Sequence, residues 1–140
     1  MPKLVLVNGC FDILTFAHVR LLNFAKSLGN RLVVGINSDF SVQKLKGLNR
    51  PINNQAERRE ILLGLRAVDE VEIFEENDAH ELLLRFQPDF WVKGSEYTMD
   101  KLTEEERAAI TLIKCTLALF PKIEGVSTTN IIKKINGNIL

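Results

Sequence analysis

Cysteine is scarce in this chain. Cys10 and Cys115 are the only two among 140 residues, and their separation makes neither a metal spacing nor a disulfide framework. An excess of charge is lacking as well. The 18 basic residues balance 18 acidic ones. No basic stripe of the kind that coats a duplex is present, so no nucleic-acid partner is expected. Long apolar runs are also missing: nothing approaches the ~18 consecutive residues that span a bilayer. The opening MPKLVLVNGCF has too short an apolar core for a signal peptide. These absences predict a cytoplasmic protein with no membrane partner. Neither an internal repeat nor a linker interrupts the chain, which predicts a single domain over 1–140.

What the sequence does contain is an alternation. Apolar residues make up 46% and charged residues 26%, enough to bury a real core. KLVLVN (3–8) is a continuous β-branched and leucine run, as expected for a strand covered on both faces. Leu21, Leu22, Ala25 and Leu28 recur at helical spacing over 18–28 and stop at Gly29. RLVVGIN (31–37) predicts a second buried strand. A polar stretch, SDFSVQKLKGLNRPIN, shows no clear periodicity. AERREILLGLRAV (56–68) reads as helix and VDEVEIF (68–74) as a third strand. AHELLLRF (79–86) predicts a short helix and PDFWVKG (88–94) a fourth strand. EEERAAITLIK (104–114) is helical and CTLALF (115–120) is a fifth strand. STTNIIKKI (127–135) opens a closing helix with hydroxyl residues suited to an N-cap.

Such alternation predicts an α/β fold: a Rossmann-like, doubly wound, five-stranded parallel sheet with helices on both faces. Ligands of open doubly wound sheets bind at the carboxyl ends of the strands, where the strand order reverses. Here those ends hold 8–18, 37–47, 93–97 and 121–129, which are also the segments rich in Gly, Lys, Asp, Ser and Thr.

Each of these loops has a chemical reading and a plainer one. Gly9 after a buried strand lets a ligand approach the backbone, and free N–H groups at the following helix start attract anions. His18 would sit beside the phosphates there, or simply cap the helix. Cys10 is a small buried thiol more readily than a nucleophile. Asp12 suits a substrate hydroxyl or a turn. Lys44 and Lys46 in VQKLKG suit a phosphate chain as point charges, although a solvated loop explains either one. Ser127, Thr128 and Thr129 follow Gly125-Val126; capping accounts for one hydroxyl, and three in succession suggest an oxyanion cradle. Lys133 and Lys134 read as a solvated face and His80 as structural.

Taken together, NGCFDIL, HVRLL, KLKG with RPIN following, VDEV, PDFWVKGSEY and GVSTTNIIKKI resemble the small nucleotidyltransferases of the cytidylyltransferase-like superfamily. The likeness runs from about Leu4 to Ile135. It is strongest to the adenylyltransferase domain of the bifunctional heptose-phosphate kinase/adenylyltransferase family that makes ADP-heptose. The resemblance implies that a sugar 1-phosphate attacks the α-phosphate of a nucleoside triphosphate in line, with Mg²⁺ bridging the phosphates. Rate would come from positioning and charge neutralisation. It further implies that His18 and Lys46 hold the triphosphate, with Lys44 nearby. Gly9, Cys10 and Phe11 would lie against the nucleotide. Lys93, Gly94 and Glu96 would border base and ribose, and Lys122, Ser127, Thr128 and Thr129 would supply donors. Asp12 would face the acceptor sugar. A homodimer is implied as well.

One motif departs from the family pattern. His-x-Gly-His is replaced by Thr15-Phe16-Ala17-His18. Thr15 keeps the catalytic position, but a hydroxyl is shorter than an imidazole and never cationic. Losing one preorganised donor typically costs about 10²–10³ in rate. Two alternatives therefore stand beside an ATP-dependent sugar-phosphate adenylyltransferase. One is a catalytically impaired homologue acting as a nucleotide-binding or partner protein. The other is a cytidylyltransferase using CTP and a polyol phosphate. A nucleotide-independent scaffold would leave the KLKG and STT loops accidental.

Overall fold

In the computed structural model, which describes residues 2–137, five strands form one parallel sheet: β1 (Leu4–Gly9), β2 (Arg31–Asn37), β3 (Glu70–Phe74), β4 (Phe90–Gly94) and β5 (Thr116–Phe120). Their order is β3-β2-β1-β4-β5, so the winding reverses between β1 and β4. Six helices connect and follow them: α1 (Phe16–Ser27), α2 (Asp39–Lys46), α3 (Gln55–Leu63), α4 (His80–Phe86), α5 (Glu104–Ile113) and α6 (Thr128–Ile135). A single 3₁₀ turn lies at Met99–Lys101.

The two-residue period of a strand divides the core. Val5, Val7, Leu32, Val34 and Ile36 face one side and pack with Leu22 and Ala25 of α1, Leu62 of α3 and Val71. Leu6, Val33 and Trp91 face the other and pack with Leu82 and Leu83 of α4 and Ala109 and Ile110 of α5. Trp91 is fully buried, and its indole N–H donates to Asn8 Oδ1 at 2.8 Å. That bond ties β4 to β1 at the reversal. Among the described residues no helix is long and apolar enough to cross a membrane.

The doubly wound parallel sheet is as expected, but two helical readings need correction. The polar stretch after β2 contains α2, eight residues capped by Ser38, whose hydroxyl accepts from the Ser41 amide. Only Ser41 and Val42 of it are buried, so it has no apolar stripe for a periodicity search to find. The helix expected over 56–68 ends at Leu63, where Gly64 caps α3, and β3 begins at Glu70 rather than Val68.

Candidate active site

The carboxyl ends of the strands open into a cleft of about 720 Å³, placed where the strand order reverses. Of the residues expected to act there, Gly9, Cys10, Phe11, Asp12, Thr15, His18, Lys46, Lys93, Gly94, Glu96, Lys122, Ser127, Thr128 and Thr129 all line it. Lys44 does not: it stands one face round α2, its ammonium 5.3 Å from the centroid of the Phe40 ring. A separation of two residues on a helix turns side chains apart by more than a right angle, so α2 delivers Lys46 and withholds Lys44. Reading the segment as a loop concealed that.

The Thr15–His18 pair is built by the start of α1. Thr15 is the N-cap in extended backbone, and His18 occupies the third helical position. The Thr15 hydroxyl accepts from the His18 amide at 3.4 Å, and the His18 Nδ1 accepts from the Thr15 amide at 3.0 Å. This is a capping box in which an imidazole takes the place usually held by a glutamate. Because Nδ1 is an acceptor, the proton of the neutral ring sits on Nε2, which is left as a donor. The ring packs against Phe11 at 5.3 Å between centroids, and burial pushes its pKa below the ordinary 6.5. His18 is therefore a neutral hydrogen-bond donor at pH 7, positioned by Thr15.

The glycine at the end of β1 packs closely against an aromatic ring. A Cβ on Gly9 would meet the Phe11 ring at 3.1 Å, and Phe11 itself holds a left-handed φ of 49°. The chain thus turns tightly under the cleft floor. Cys10 donates weakly to Asn37 Oδ1 at 3.7 Å. Burial raises its thiol pKa against the pull of Lys46, Arg58 and Arg50, which leaves it a protonated, small side chain.

Across the cleft, Lys93 lies between two aromatic faces, 4.9 Å from Trp91 and 4.3 Å from Tyr97. Burial lowers its pKa, with Glu106 and Glu96 opposing. The Glu96 carboxylate folds back over Gly94, within 2.6 Å of where a Cβ would stand, and as the end of a flexible, exposed side chain it is free to move. The two acidic residues on the far wall are internal braces. Glu106 accepts from the Ala79 amide at 2.9 Å and from Thr103 N–H at 3.0 Å. Asp78 accepts from the Thr103 hydroxyl at 2.6 Å and contacts His80 Nδ1 at 2.5 Å.

At the third side, the successive hydroxyls before α6 divide their work. Ser127 is the N-cap and accepts from the Asn130 amide at 3.0 Å. Thr128 donates to the Ile13 carbonyl at 3.0 Å, fastening α6 to the loop after β1. Thr129 is exposed and, among the described residues, no hydrogen bond engages its hydroxyl. The plain capping explanation therefore holds for Ser127, while Thr128 and Thr129, the first two residues of α6, line the cleft.

Two arginines escaped sequence reasoning. Arg58 is 1% exposed and donates to the carbonyls of Asn53, Cys10 and Asn37 and to the Asp39 carboxylate, at 3.0, 2.8, 2.8 and 2.9 Å. It staples α3 to the ends of β1 and β2. Arg50 lines the cleft and pairs with Asp12 at 3.1 Å. Arg50 stands within the RPIN match with no role assigned to it, and Arg58 reads as one more charge on a routine helix. Asp12, expected to face a substrate, is instead buried and accepts from Arg50, Ile52 and Asn53.

Among the described residues no group of three or more His, Cys, Asp or Glu is placed to hold a metal. Mg²⁺ commonly binds through substrate phosphates and water with few protein carboxylates.

A family model described as Cytidylyltransferase-like matches residues 6–134. Bifunctional protein HldE of Campylobacter fetus is 46% identical over 134 residues, covering 96% of this chain and 28% of that protein. HldE of Wolinella succinogenes is 44% identical over 136 residues, covering 97% and 27%. The chain thus spans about a quarter of the length of these curated relatives. Among solved structures, a lipopolysaccharide core biosynthesis protein from Thermoplasma volcanium superposes with a TM-score of 0.71 at 24% identity, covering 88% of this chain and 98% of that one. Pantothenate synthetase from Thermus thermophilus superposes at 0.65 with 12% identity, covering 97% and 63%; both likenesses concern the fold alone. By its matched residues the chain belongs to the cytidylyltransferase-like family of nucleotidyltransferases.

Proposed function

We propose that this domain transfers AMP from ATP to a sugar 1-phosphate such as heptose 1-phosphate, releasing pyrophosphate. The observation that carries the reading is one cleft in which His18, Lys46, Lys93, Lys122 and the amino end of α6 converge. An oxygen of the sugar phosphate attacks the α-phosphorus as the bond to the bridging oxygen breaks, and the electron pair leaves with pyrophosphate. No protein nucleophile is needed, in keeping with the raised pKa of the Cys10 thiol. The chain's own contribution is placement and donated hydrogen bonds: the Nε2 proton of His18, the ammonium groups of Lys46 and Lys122, and the amides of Thr128 and Thr129. Mg²⁺ riding on the phosphates supplies further charge neutralisation when bound.

A second reading has its own observation. Thr15 is occupied in capping α1 and orienting His18, so it offers the cleft no replacement for an imidazole. On that reading the domain binds nucleotide with little chemistry. One experiment separates the two. The protein is incubated with Mg²⁺, each of ATP, CTP, GTP and UTP, and a panel of sugar and polyol phosphates, and pyrophosphate is measured. Release with ATP and a sugar 1-phosphate is expected. Release only with CTP and a polyol phosphate moves the assignment to the cytidylyl branch. No release from any pair, with nucleotide still bound, establishes the impaired homologue.

A further inference from the structure

We infer that Arg50, held in place by Asp12, binds the phosphate group of the acceptor, so that the acceptor enters on the β2 side of β1. The inference rests on the transfer reaction proposed above.

Arg50 follows the turn at Gly47, in the connection between α2 and α3. Its side chain is 14% exposed, and its Nε donates to Asp12 Oδ2 at 3.1 Å. Asp12 is in turn fixed from behind, its carboxylate accepting from the amides of Ile52 at 2.8 Å and Asn53 at 2.9 Å. Its backbone carbonyl accepts from Asn53 Nδ2 at 3.3 Å. Three bonds engage both carboxylate oxygens. Asp12 is thus a positioning residue, and the substrate contact passes to the arginine that it aims. Among the described residues the two terminal nitrogens of Arg50 have no partner, and the side chain lines the cleft. A guanidinium pinned through Nε keeps a planar pair of donors free, the arrangement that grips a terminal phosphate in two-pronged fashion.

Placement favours the acceptor over the nucleotide. In-line transfer leaves an anion on each side of the reacting phosphorus, the departing pyrophosphate and the incoming phosphate. The cleft's donors lie on both sides of β1. Lys93, Lys122 and the amino end of α6 follow β4 and β5 in the chain, whereas Lys46 and Arg50 follow β2, Lys46 at the end of α2 and Arg50 beyond the turn at Gly47. A base and its triphosphate belong to one molecule, and the β4–β5 side offers loops for both. Arg50 is the sole arginine among the cleft-lining residues. The neighbouring Arg58 is spent on three carbonyls and Asp39.

The test uses the protein saturated with Mg²⁺ and α,β-methylene-ATP, whose bridging carbon blocks transfer. Heptose 1-phosphate is then titrated by calorimetry into wild type, Arg50→Lys and Arg50→Gln, with thermal melts on each. Arg50→Gln is expected to weaken heptose 1-phosphate about 30-fold, and Arg50→Lys about 10-fold, because a charge survives without the fork. Affinity for the ATP analogue should stay within about threefold in both. Unchanged heptose 1-phosphate binding in a folded Arg50→Gln protein overturns the assignment, as does an equal loss of analogue affinity. If wild type binds no sugar phosphate and releases no pyrophosphate with any pair, the transfer reading has failed. Inorganic phosphate, followed by ³¹P NMR, then tests Arg50 alone: phosphate bound by wild type and lost in Arg50→Gln upholds the anion site, and equal binding by both refutes it.

Discussion

His18 shows how one side chain serves both folding and chemistry. Its Nδ1 takes the Thr15 amide, its own amide takes the Thr15 hydroxyl, and the remaining Nε2 proton is what the cleft receives. The sequence made His18 a candidate but hid its pairing, since Thr15 reads as a lost histidine in one frame and a helix cap in the other. Asp12 was legible as a polar residue in a phosphate-type loop. Its true partners lie 38 to 41 residues away, beyond any local pattern. The burial of His18 has a titration consequence. Burial lowers its pKa below 6.5, so as pH falls through that value the unfolded chain takes up the proton first. The folded state is then disfavoured, and stability drops toward acid. His80 acts in the opposite sense: the hydrogen bond its Nδ1–H donates to the Asp78 carboxylate raises its pKa, and its stabilisation, full at acid pH, is lost as pH rises through the raised value. Comparing wild type with His18→Gln cancels the His80 contribution. The difference in unfolding free energy should be flat above about pH 7 and shift in favour of the variant below about pH 6, as read by urea denaturation at a series of pH values. A flat difference down to pH 5 would contradict a buried, neutral imidazole.

At the scale of elements, what positions the cleft is a junction that propensity cannot foresee. The strands were plain because β-branched runs covered on both faces have a strong pattern. α2 was not, because only Ser41 and Val42 of its eight residues are buried and its formation depends on a serine cap. Arg58 reads as one more charge on an amphipathic helix, yet it is the bracket that joins α3 to the carboxyl ends of β1 and β2. Replacing it with methionine preserves the aliphatic stem and removes four donated bonds. The carbonyls of Cys10, Asn37 and Asn53 are then left without their donor, and Asp39, which is half-exposed, returns to water at little cost. A loss of about 3 kcal/mol is expected, measured as a fall in the urea midpoint without change in slope. ATP affinity should fall with it, because the carbonyl released at Cys10 lies in the loop that floors the cleft. A variant with wild-type stability and weakened ATP binding would instead place Arg58 in direct contact with nucleotide.

Across the whole molecule, the sheet is a rigid base to which α6 is lightly attached. None of the residues of α6 is buried, Ile135 remains 76% exposed, and its tie to the loop after β1 is the Thr128 hydroxyl on the Ile13 carbonyl. Local stability follows buried contact, so α6 should open well below the global unfolding free energy, unlike α1 and the central strands. A triphosphate lying between the β1 loop and the amino end of α6 would bridge the two and be bound only when both are in place. Bound ligand at 100 times its dissociation constant adds about 2.7 kcal/mol to the state that binds it, which for a domain of this size is a rise of about 5–10 °C in Tm. The gain should be unevenly distributed. Hydrogen exchange over residues 128–135 is expected to be fast in the free protein and to slow by up to about 100-fold with Mg²⁺ and ATP present, while β1, β2 and β4 change little. Thr128→Val removes the existing tie but keeps the shape; it should speed exchange in free α6, with nucleotide restoring much of the protection. Nucleotide binding that raises Tm but leaves exchange in α6 unaltered would detach this helix from the triphosphate and confine the site to the loops after β1, β2 and β4.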